Sequence, residues 1–122
     1  MSKKKVLIVD DSSFSRAMLK KIVNSTDFCE VIGEASNGEE AIEQYTALKP
    51  DLVTMDIIMP VKGGIEAIHD ILKMDDKAII VIVSTINEET LGHEMPKEVK
   101  GFVRKPFKSD GVIEVLQEVV KS

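Results

Sequence analysis

The chain has 122 residues, of which 43% are hydrophobic and 30% charged, and its formal net charge is -5 at pH 7. The length predicts one domain, residues 1–122, and the composition excludes disordered and membrane-embedded classes. The acidic balance argues against nucleic-acid binding, because a duplex repels a surface that has no basic patch. A single cysteine cannot form an internal disulfide, so we expect a reduced, cytoplasmic protein. No apolar stretch approaches the length of a membrane span, so we expect no membrane attachment. A monomer is also expected.

Five short apolar runs predict five β-strands. Continuous runs rich in β-branched residues are typical of strands that are covered on both faces, and the most apolar of the five is expected to be a central strand. The runs are Lys5–Asp10, Cys29–Ala35, Asp51–Asp56, Ala78–Val83 and Gly101–Arg104, of which Ala78–Val83 is the most apolar.

Helical periodicity follows four of these strands. The helices are predicted from Ser13 to about Ser25, from Asn37 to before Pro50, from Gly63 and from about Ser109. The apolar stripe of the first helix is predicted from residues at helical spacing, namely Phe14, Ala17, Met18, Ile22 and Val23. Ser12 or Ser13 is placed to cap this helix.

The segment Asn87–Lys100 predicts a poor helix. Gly92 and Pro96 interrupt its apolar spacing, so we expect a short or irregular fourth helix of low local stability. Five strands alternating with helices indicate an α/β three-layer sandwich with a parallel sheet. The flavodoxin-like order 2-1-3-4-5 is the leading topology, and its ligand site lies at the carboxyl ends of strands 1 and 3.

Polar residues follow the strands at this edge, namely Asp10, Asp11, Asp56, Ser84 and Lys105. Three neighbouring carboxylates repel one another unless a cation neutralises them, and Mg²⁺ suits such a site because it keeps waters that a phosphate oxygen can replace. A lysine and a hydroxyl opposite the metal can hold further phosphate oxygens. The group therefore predicts phosphoryl transfer onto a carboxylate.

Four segments in this order, VDDSSFSR, MDIIMPVKGG, IVS and FVRKPF, resemble the receiver domain of response regulators in two-component signalling, and the resemblance covers essentially the whole chain. It implies that Asp56 is the phosphoacceptor and that Asp10 and Asp11 hold Mg²⁺ with it. It also implies that Ile58 contributes a backbone carbonyl to the metal.

The same resemblance implies that Ser84 senses the phosphate, that Lys105 pairs with it, and that the Phe102 rotamer follows Ser84. Phe102 is equally well explained as a core residue. A cis peptide bond before Pro106 is typical of the family and points the lysine inward. The implied partners are a histidine kinase or histidine phosphotransfer protein as donor and a protein target, and the chain is expected not to be an enzyme on any other substrate.

A stand-alone, chemotaxis-like receiver is the leading interpretation, with a domain from a longer regulator or a phosphate sink as alternatives. The positions two residues after Asp56 and Ser84 are Ile58 and Ile86. Many family members carry a polar residue at one of them. Two apolar side chains there hinder an attacking water, so we expect slow dephosphorylation.

Two other classes of protein share the topology or the nucleophile. An FMN-binding electron carrier would cradle its phosphate with the serines Ser12, Ser13 and Ser15, but Asp10 and Asp11 would repel that phosphate. A phosphohydrolase with an aspartyl nucleophile usually needs a second acid two residues further on, where Ile58 stands.

Overall fold

The computed structural model describes residues 3–121, which form one sheet of five parallel strands in the order β2-β1-β3-β4-β5. The predicted flavodoxin-like topology is therefore confirmed. The strands are β1 (Lys4–Val9), β2 (Cys29–Ala35), β3 (Leu52–Met55), β4 (Ile79–Ser84) and β5 (Gly101–Arg104). The α-helices are α1 (Ser13–Asn24), α2 (Gly38–Leu48), α3 (Gly64–Met74), α4 (Glu88–Leu91) and α5 (Ser109–Lys121).

The sheet separates two apolar cores. Leu7 and Val9 of β1 lie in the core that α2 and α3 cover, whereas Val6 and Ile8 lie in the core that α1 and α5 cover. Successive side chains of a strand point to opposite faces of the sheet, and both faces of β1 are buried. The sequence of β1 is therefore a continuous apolar run. Among residues 3–121, no helix combines the length and apolar character that a membrane span requires.

The predicted apolar stripe of α1 is wrong in its first half. Phe14 is 73% exposed, Met18 is 38% exposed and Ala17 also faces outward, whereas Leu19 and Val23 are buried. Two sets of apolar residues four positions apart, Phe14 with Met18 and Leu19 with Val23, both satisfy helical spacing. Only the second set packs against the sheet, so α1 leaves an apolar patch in contact with solvent.

Polar side chains cap the starts of α1 and α2, and the predicted serine cap of α1 is confirmed. Ser12 caps α1, because its hydroxyl accepts a hydrogen bond from the backbone N–H of Ser15 at 3.2 Å. Asn37 caps α2 by accepting from the N–H of Glu40 at 2.9 Å. The Glu40 carboxylate reaches back to the N–H of Ser36 at 2.8 Å, one residue earlier than in the standard capping box.

A polar contact at the edge of the core joins the last turn of α2 to the end of α3. Tyr45 is 7% exposed, and its hydroxyl donates to Oδ2 of Asp75 at 2.9 Å. The phenol therefore satisfies its polar atom at the edge of the core while its ring packs within it.

The fourth helix is short, as predicted. Asn87 caps it through the N–H of Thr90 at 2.7 Å, and after Leu91 the chain continues as a single 3₁₀ turn, Gly92–Glu94. Gly92 has a φ of 52° and ends the α-helical path. Pro96 has no N–H with which to extend it. Leu91 is buried, and Met95 and Val99 pack against the same core, so the segment is anchored at three points without being a regular helix.

Candidate functional site

Three carboxylates meet at the carboxyl ends of the two central strands. Asp10 and Asp11 follow β1, and Asp56 follows β3, whose pairing with β1 continues through a hydrogen bond from the Asp56 N–H to the carbonyl of Val9 at 3.0 Å. One oxygen of each carboxylate lies within 4.8 Å of the others. Asp10 is fully buried, Asp56 is 6% exposed and Asp11 is exposed. The cluster thus has two buried acids and one open side.

Lys105 brings a positive charge into this cluster from the loop after β5. Its Nζ lies 2.7 Å from Oδ2 of Asp10 and 3.2 Å from Oδ2 of Asp56. The Lys105-Pro106 peptide bond is cis, and the N–H of Lys105 donates to the carbonyl of Ser84 at 2.8 Å. The loop is therefore fastened to the end of β4 with its lysine directed at the acids.

Asp10 is fixed by its surroundings but keeps one oxygen for a further ligand. Its Oδ1 accepts from the N–H of Ser12 at 2.9 Å, and its backbone carbonyl accepts from the Arg16 guanidinium at 2.6 Å. Within residues 3–121, Oδ2 has no hydrogen bond of acceptable geometry, and the Lys105 ammonium lies beside it as an ion-pair partner. A buried carboxylate oxygen without a hydrogen-bonding partner fits a hard divalent cation bound by these three acids.

Burial and the neighbouring charges both shift the pKa values of Asp56 and Lys105. Burial raises the pKa of Asp56, and the charge of Asp10 adds to the rise, while Lys105 and the hydrogen bond from the Ile57 N–H oppose it. Burial alone would lower the pKa of Lys105, but its contacts with Asp10 and Asp56 outweigh burial and raise it. Lys105 is therefore firmly charged, and Asp56 gains from any added positive charge.

Ser84 and Phe102 lie on the next two strands of the sheet, β4 and β5. Ser84 is fully buried at the end of β4, and its hydroxyl accepts a hydrogen bond from the N–H of Ile86 at 3.2 Å. Phe102 lies in β5 opposite Ile82 and is half-buried against the core that contains Leu91. Phe102 thus packs in the core, and its proposed switching role remains a prediction.

Ile58 and Ile86 have different environments. Ile58 is 63% exposed on the loop that follows Asp56, whereas Ile86 is half-buried and packs against the core beneath α4. Ile58 is therefore free to be replaced without disturbing the core, and Ile86 is not. Thr85, between Ser84 and Ile86, is exposed and lines a cavity of about 450 Å³ with Phe14, Met18 and Lys105.

Sequence reasoning missed two basic residues near the site. Arg16 donates from Nη1 to the carbonyl of Asp10 and from Nε to Glu34 on β2 at 3.2 Å. Lys62, on the loop after β3, forms an ion pair with Asp70 at 2.6 Å. The VDDSSFSR and MDIIMPVKGG segments contain both residues, but a motif does not show which carbonyl or carboxylate a long side chain reaches.

A doubly wound parallel sheet with three acids and a lysine at the ends of β1, β3 and β5 defines a class of phosphate-handling α/β domains. The chain belongs to the response regulator receiver domain family, whose model matches residues 6–117. The resemblance inferred from the four segments is thereby confirmed.

Individual relatives agree with this assignment. The chain is 48% identical over 119 residues to the chemotaxis protein CheY of Thermotoga maritima, covering 97% of this chain and 98% of the relative. It is 42% identical to CheY of Listeria monocytogenes, covering 96% and 98%. Among solved structures, the CheX-CheY-BeF3-Mg+2 complex from Borrelia burgdorferi contains a similar chain, with 32% identity, a TM-score of 0.90 and coverage of 96% and 89%.

Proposed function

We propose that Asp56 accepts a phosphoryl group from the phosphohistidine of a sensor histidine kinase or histidine phosphotransfer protein, in a Mg²⁺-dependent reaction. The observation that carries this proposal is the convergence of Asp10, Asp11 and Asp56 on one point, with Lys105 within 3.2 Å of two of them. Neither an electron carrier nor a phosphohydrolase accounts for that convergence as well.

The transfer forms a bond between phosphorus and a carboxylate oxygen of Asp56, and it breaks the bond between phosphorus and the donor's imidazole nitrogen. Asp10 and Asp11 hold the cation together with Asp56, and Ile58 contributes its backbone carbonyl. When bound, Mg²⁺ supplies positive charge to the transferring phosphoryl oxygens. Lys105 pairs with another of these oxygens, and Ser84 donates a hydrogen bond from its hydroxyl.

Phosphorylation is then reported through Ser84 and Phe102. In the unphosphorylated structure the Ser84 hydroxyl accepts a hydrogen bond from the N–H of Ile86. When the hydroxyl turns towards the phosphate, this hydrogen bond breaks just before α4. Phe102 packs beside this region and follows the change with its rotamer. Residues 87–100 are the two-state element that phosphorylation biases, and the output is a protein–protein contact.

The pathway part of the proposal is a stand-alone, chemotaxis-like receiver spanning residues 1–122. It is supported by two relatives named chemotaxis protein CheY, of which this chain covers 98% each. A domain from a longer regulator and a phosphate sink are the alternatives. We further propose a cytoplasmic monomer that catalyses only its own phosphorylation and dephosphorylation.

The test is incubation with acetyl phosphate and Mg²⁺, read by intact mass and compared with Asp56→Asn. We expect a mass gain of one phosphoryl group in the parent protein, no gain in Asp56→Asn, and no gain in the parent when a chelator replaces Mg²⁺. An unmodified parent protein would overturn the proposal. A phosphorylated Asp56→Asn variant would assign the reaction to another residue.

A further inference from the structure

The loop from Ile57 to Gly63, here called the acceptor loop, connects Asp56 to α3 and has a strained turn. Val61 has a φ of 68°, and the N–H of Lys62 donates to the carbonyl of Pro60 at 2.7 Å. A hydrogen bond across three residues with a positive φ at the centre is the rare form of γ-turn. For a β-branched residue this conformation is costly and persists only where the surroundings impose it.

Lys62 makes the contacts that hold this turn. Its Nζ lies 2.6 Å from Oδ2 of Asp70 on α3 and 3.9 Å from Oε2 of Glu39 on α2. Its backbone carbonyl accepts from the N–H of Gly38 at 2.8 Å. The Lys62 side chain is 21% exposed and that of Asp70 is 34% exposed. One residue thus fastens the acceptor loop to the first turn of α2 and to the middle of α3.

The contact with α2 requires a close approach of two backbones. A Cβ at Gly38 would lie 2.6 Å from the carbonyl oxygen of Lys62 and 2.7 Å from its Cγ. Such distances do not occur between real side chains and backbone, so only glycine fits at this position. The acceptor loop therefore lies directly on α2 at Lys62.

The near end of the same loop is fastened to the phosphorylation site. The N–H of Ile57 donates to Oδ1 of Asp56 at 2.8 Å, and the carbonyl of Ile57 accepts from the N–H of Gly64 at 2.8 Å. The position of the Ile58 backbone is thus fixed between two anchors, Ile57 on one side and Lys62 on the other. Release of the second anchor would let the strained turn relax and would shift the Ile58 backbone, whose carbonyl is proposed above as a ligand of the metal.

We propose that Lys62 is a positioning residue for metal binding at the phosphorylation site, because its ion pairs with Asp70 and Glu39 and its hydrogen bond from Gly38 hold the acceptor loop, to which the proposed ligand Ile58 belongs. This inference rests on the function proposed above. Lys62 touches neither Asp56 nor the phosphoryl group, so it acts through the loop alone.

The test compares Lys62→Met, which removes the charge and keeps the length, with Lys62→Arg, which keeps the charge. Lys77→Met, at an exposed lysine in the turn before β4, is the matched control for loss of one charge. We expect calorimetry to give a Mg²⁺ dissociation constant raised about threefold to tenfold in Lys62→Met, near the parent value in Lys62→Arg and unchanged in Lys77→Met. Amide exchange in the acceptor loop should quicken in Lys62→Met only.

Asp70→Asn and the double variant identify the partner. If Lys62 acts through Asp70, the double variant binds Mg²⁺ no more weakly than Lys62→Met alone. A purely structural role would lower the thermal midpoint of Lys62→Met and leave the Mg²⁺ dissociation constant of the folded protein within twofold of the parent, and that result would overturn the inference. A parent protein that neither binds Mg²⁺ nor takes up phosphate would overturn the proposed function itself.

Discussion

The ammonium of Lys105 lies 2.7 Å from Oδ2 of Asp10, a carboxylate with no solvent exposure. This contact has the distance of a strong ion pair but lacks hydrogen-bond geometry. The lysine is therefore an internal counter-charge to the acids, and it competes with a divalent cation for the same oxygen. A phosphate that draws Lys105 away would free that oxygen for the metal.

Removal of this counter-charge should make stability depend on the metal. In Lys105→Met, Asp10 and Asp56 lose their cation, so we expect the free energy of unfolding in a chelator to fall by about 3 kcal/mol. Added Mg²⁺ should restore more stability to this variant than to the parent, because the metal no longer competes with the ammonium. Urea unfolding with and without Mg²⁺ measures both effects. Lys108→Met, at an exposed lysine, is the control, and an equal loss there would contradict the assignment.

The lifetime of the phosphoryl group should depend on Ile58 and Ile86. We expect Ile58→Asn with Ile86→Glu to lose phosphate severalfold faster in Mg²⁺ than the parent, because polar side chains there can orient the attacking water. Loss of the phosphoryl mass after removal of the donor measures the rate. Ile58→Asn should show most of the effect without loss of stability, since Ile58 is 63% exposed, whereas Ile86 packs on the core. Ile58→Val is the apolar control, and an unchanged rate in the double variant would refute the prediction.

Ionisation of the Cys29 thiol should lower the free energy of unfolding at alkaline pH. Burial raises the pKa of its thiol from 9.0 to about 11, with the charge of Asp51 adding to the rise. The folded state therefore keeps this proton longer than the unfolded state. Its contribution is fully present below about pH 9 and is lost as the pH rises towards 11, by about 2 kcal/mol. Urea unfolding at several pH values should give a steeper alkaline loss for the parent than for Cys29→Ala, and parallel curves would rule this out.

Thr54 should be replaceable with a gain in stability. It is 1% exposed in β3, and within residues 3–121 its hydroxyl has no hydrogen-bonding partner. Thr54→Val keeps the shape and removes the unpaired group, so we expect the free energy of unfolding to rise by about 1 kcal/mol. Val53→Thr, on the opposite face of the same strand, is the matched reverse change and should destabilise. A loss of stability in Thr54→Val would contradict this and would show that the hydroxyl makes a stabilising interaction.

The order of the strands and the composition of the acidic cluster could both be predicted from the sequence. Buried parallel strands appear as continuous apolar runs, and the topology brings the ends of β1 and β3 together. The proximity of Asp10 and Asp56 could therefore be predicted without the structure. The interruption of α4 could also be predicted from the sequence, because Gly92 and Pro96 disfavour a helix through their own backbone geometry. These features depend on residues that are near neighbours in sequence or on the rules of sheet packing.

Features that depend on a choice between equivalent local patterns could not be predicted. Phe14 with Met18 and Leu19 with Val23 have the same spacing, and only the packing of α1 on the sheet decides between them. The turn at Val61 could not be predicted, because a positive φ is expected at glycine or asparagine and not at valine. The contacts of Lys62 join three elements, and no sequence spacing encodes them.

The position of Tyr45 determines what intrinsic fluorescence can report about this protein. The chain has one tyrosine and no tryptophan, and the phenol lies beside Asp75 at the edge of the sheet opposite the acids. We expect its ultraviolet emission to change when that hydrogen bond breaks on unfolding. A tryptophan introduced at the exposed Ile58 position would add an optical reporter beside the phosphorylation site, and Tyr45 would remain an independent reporter of the folded state.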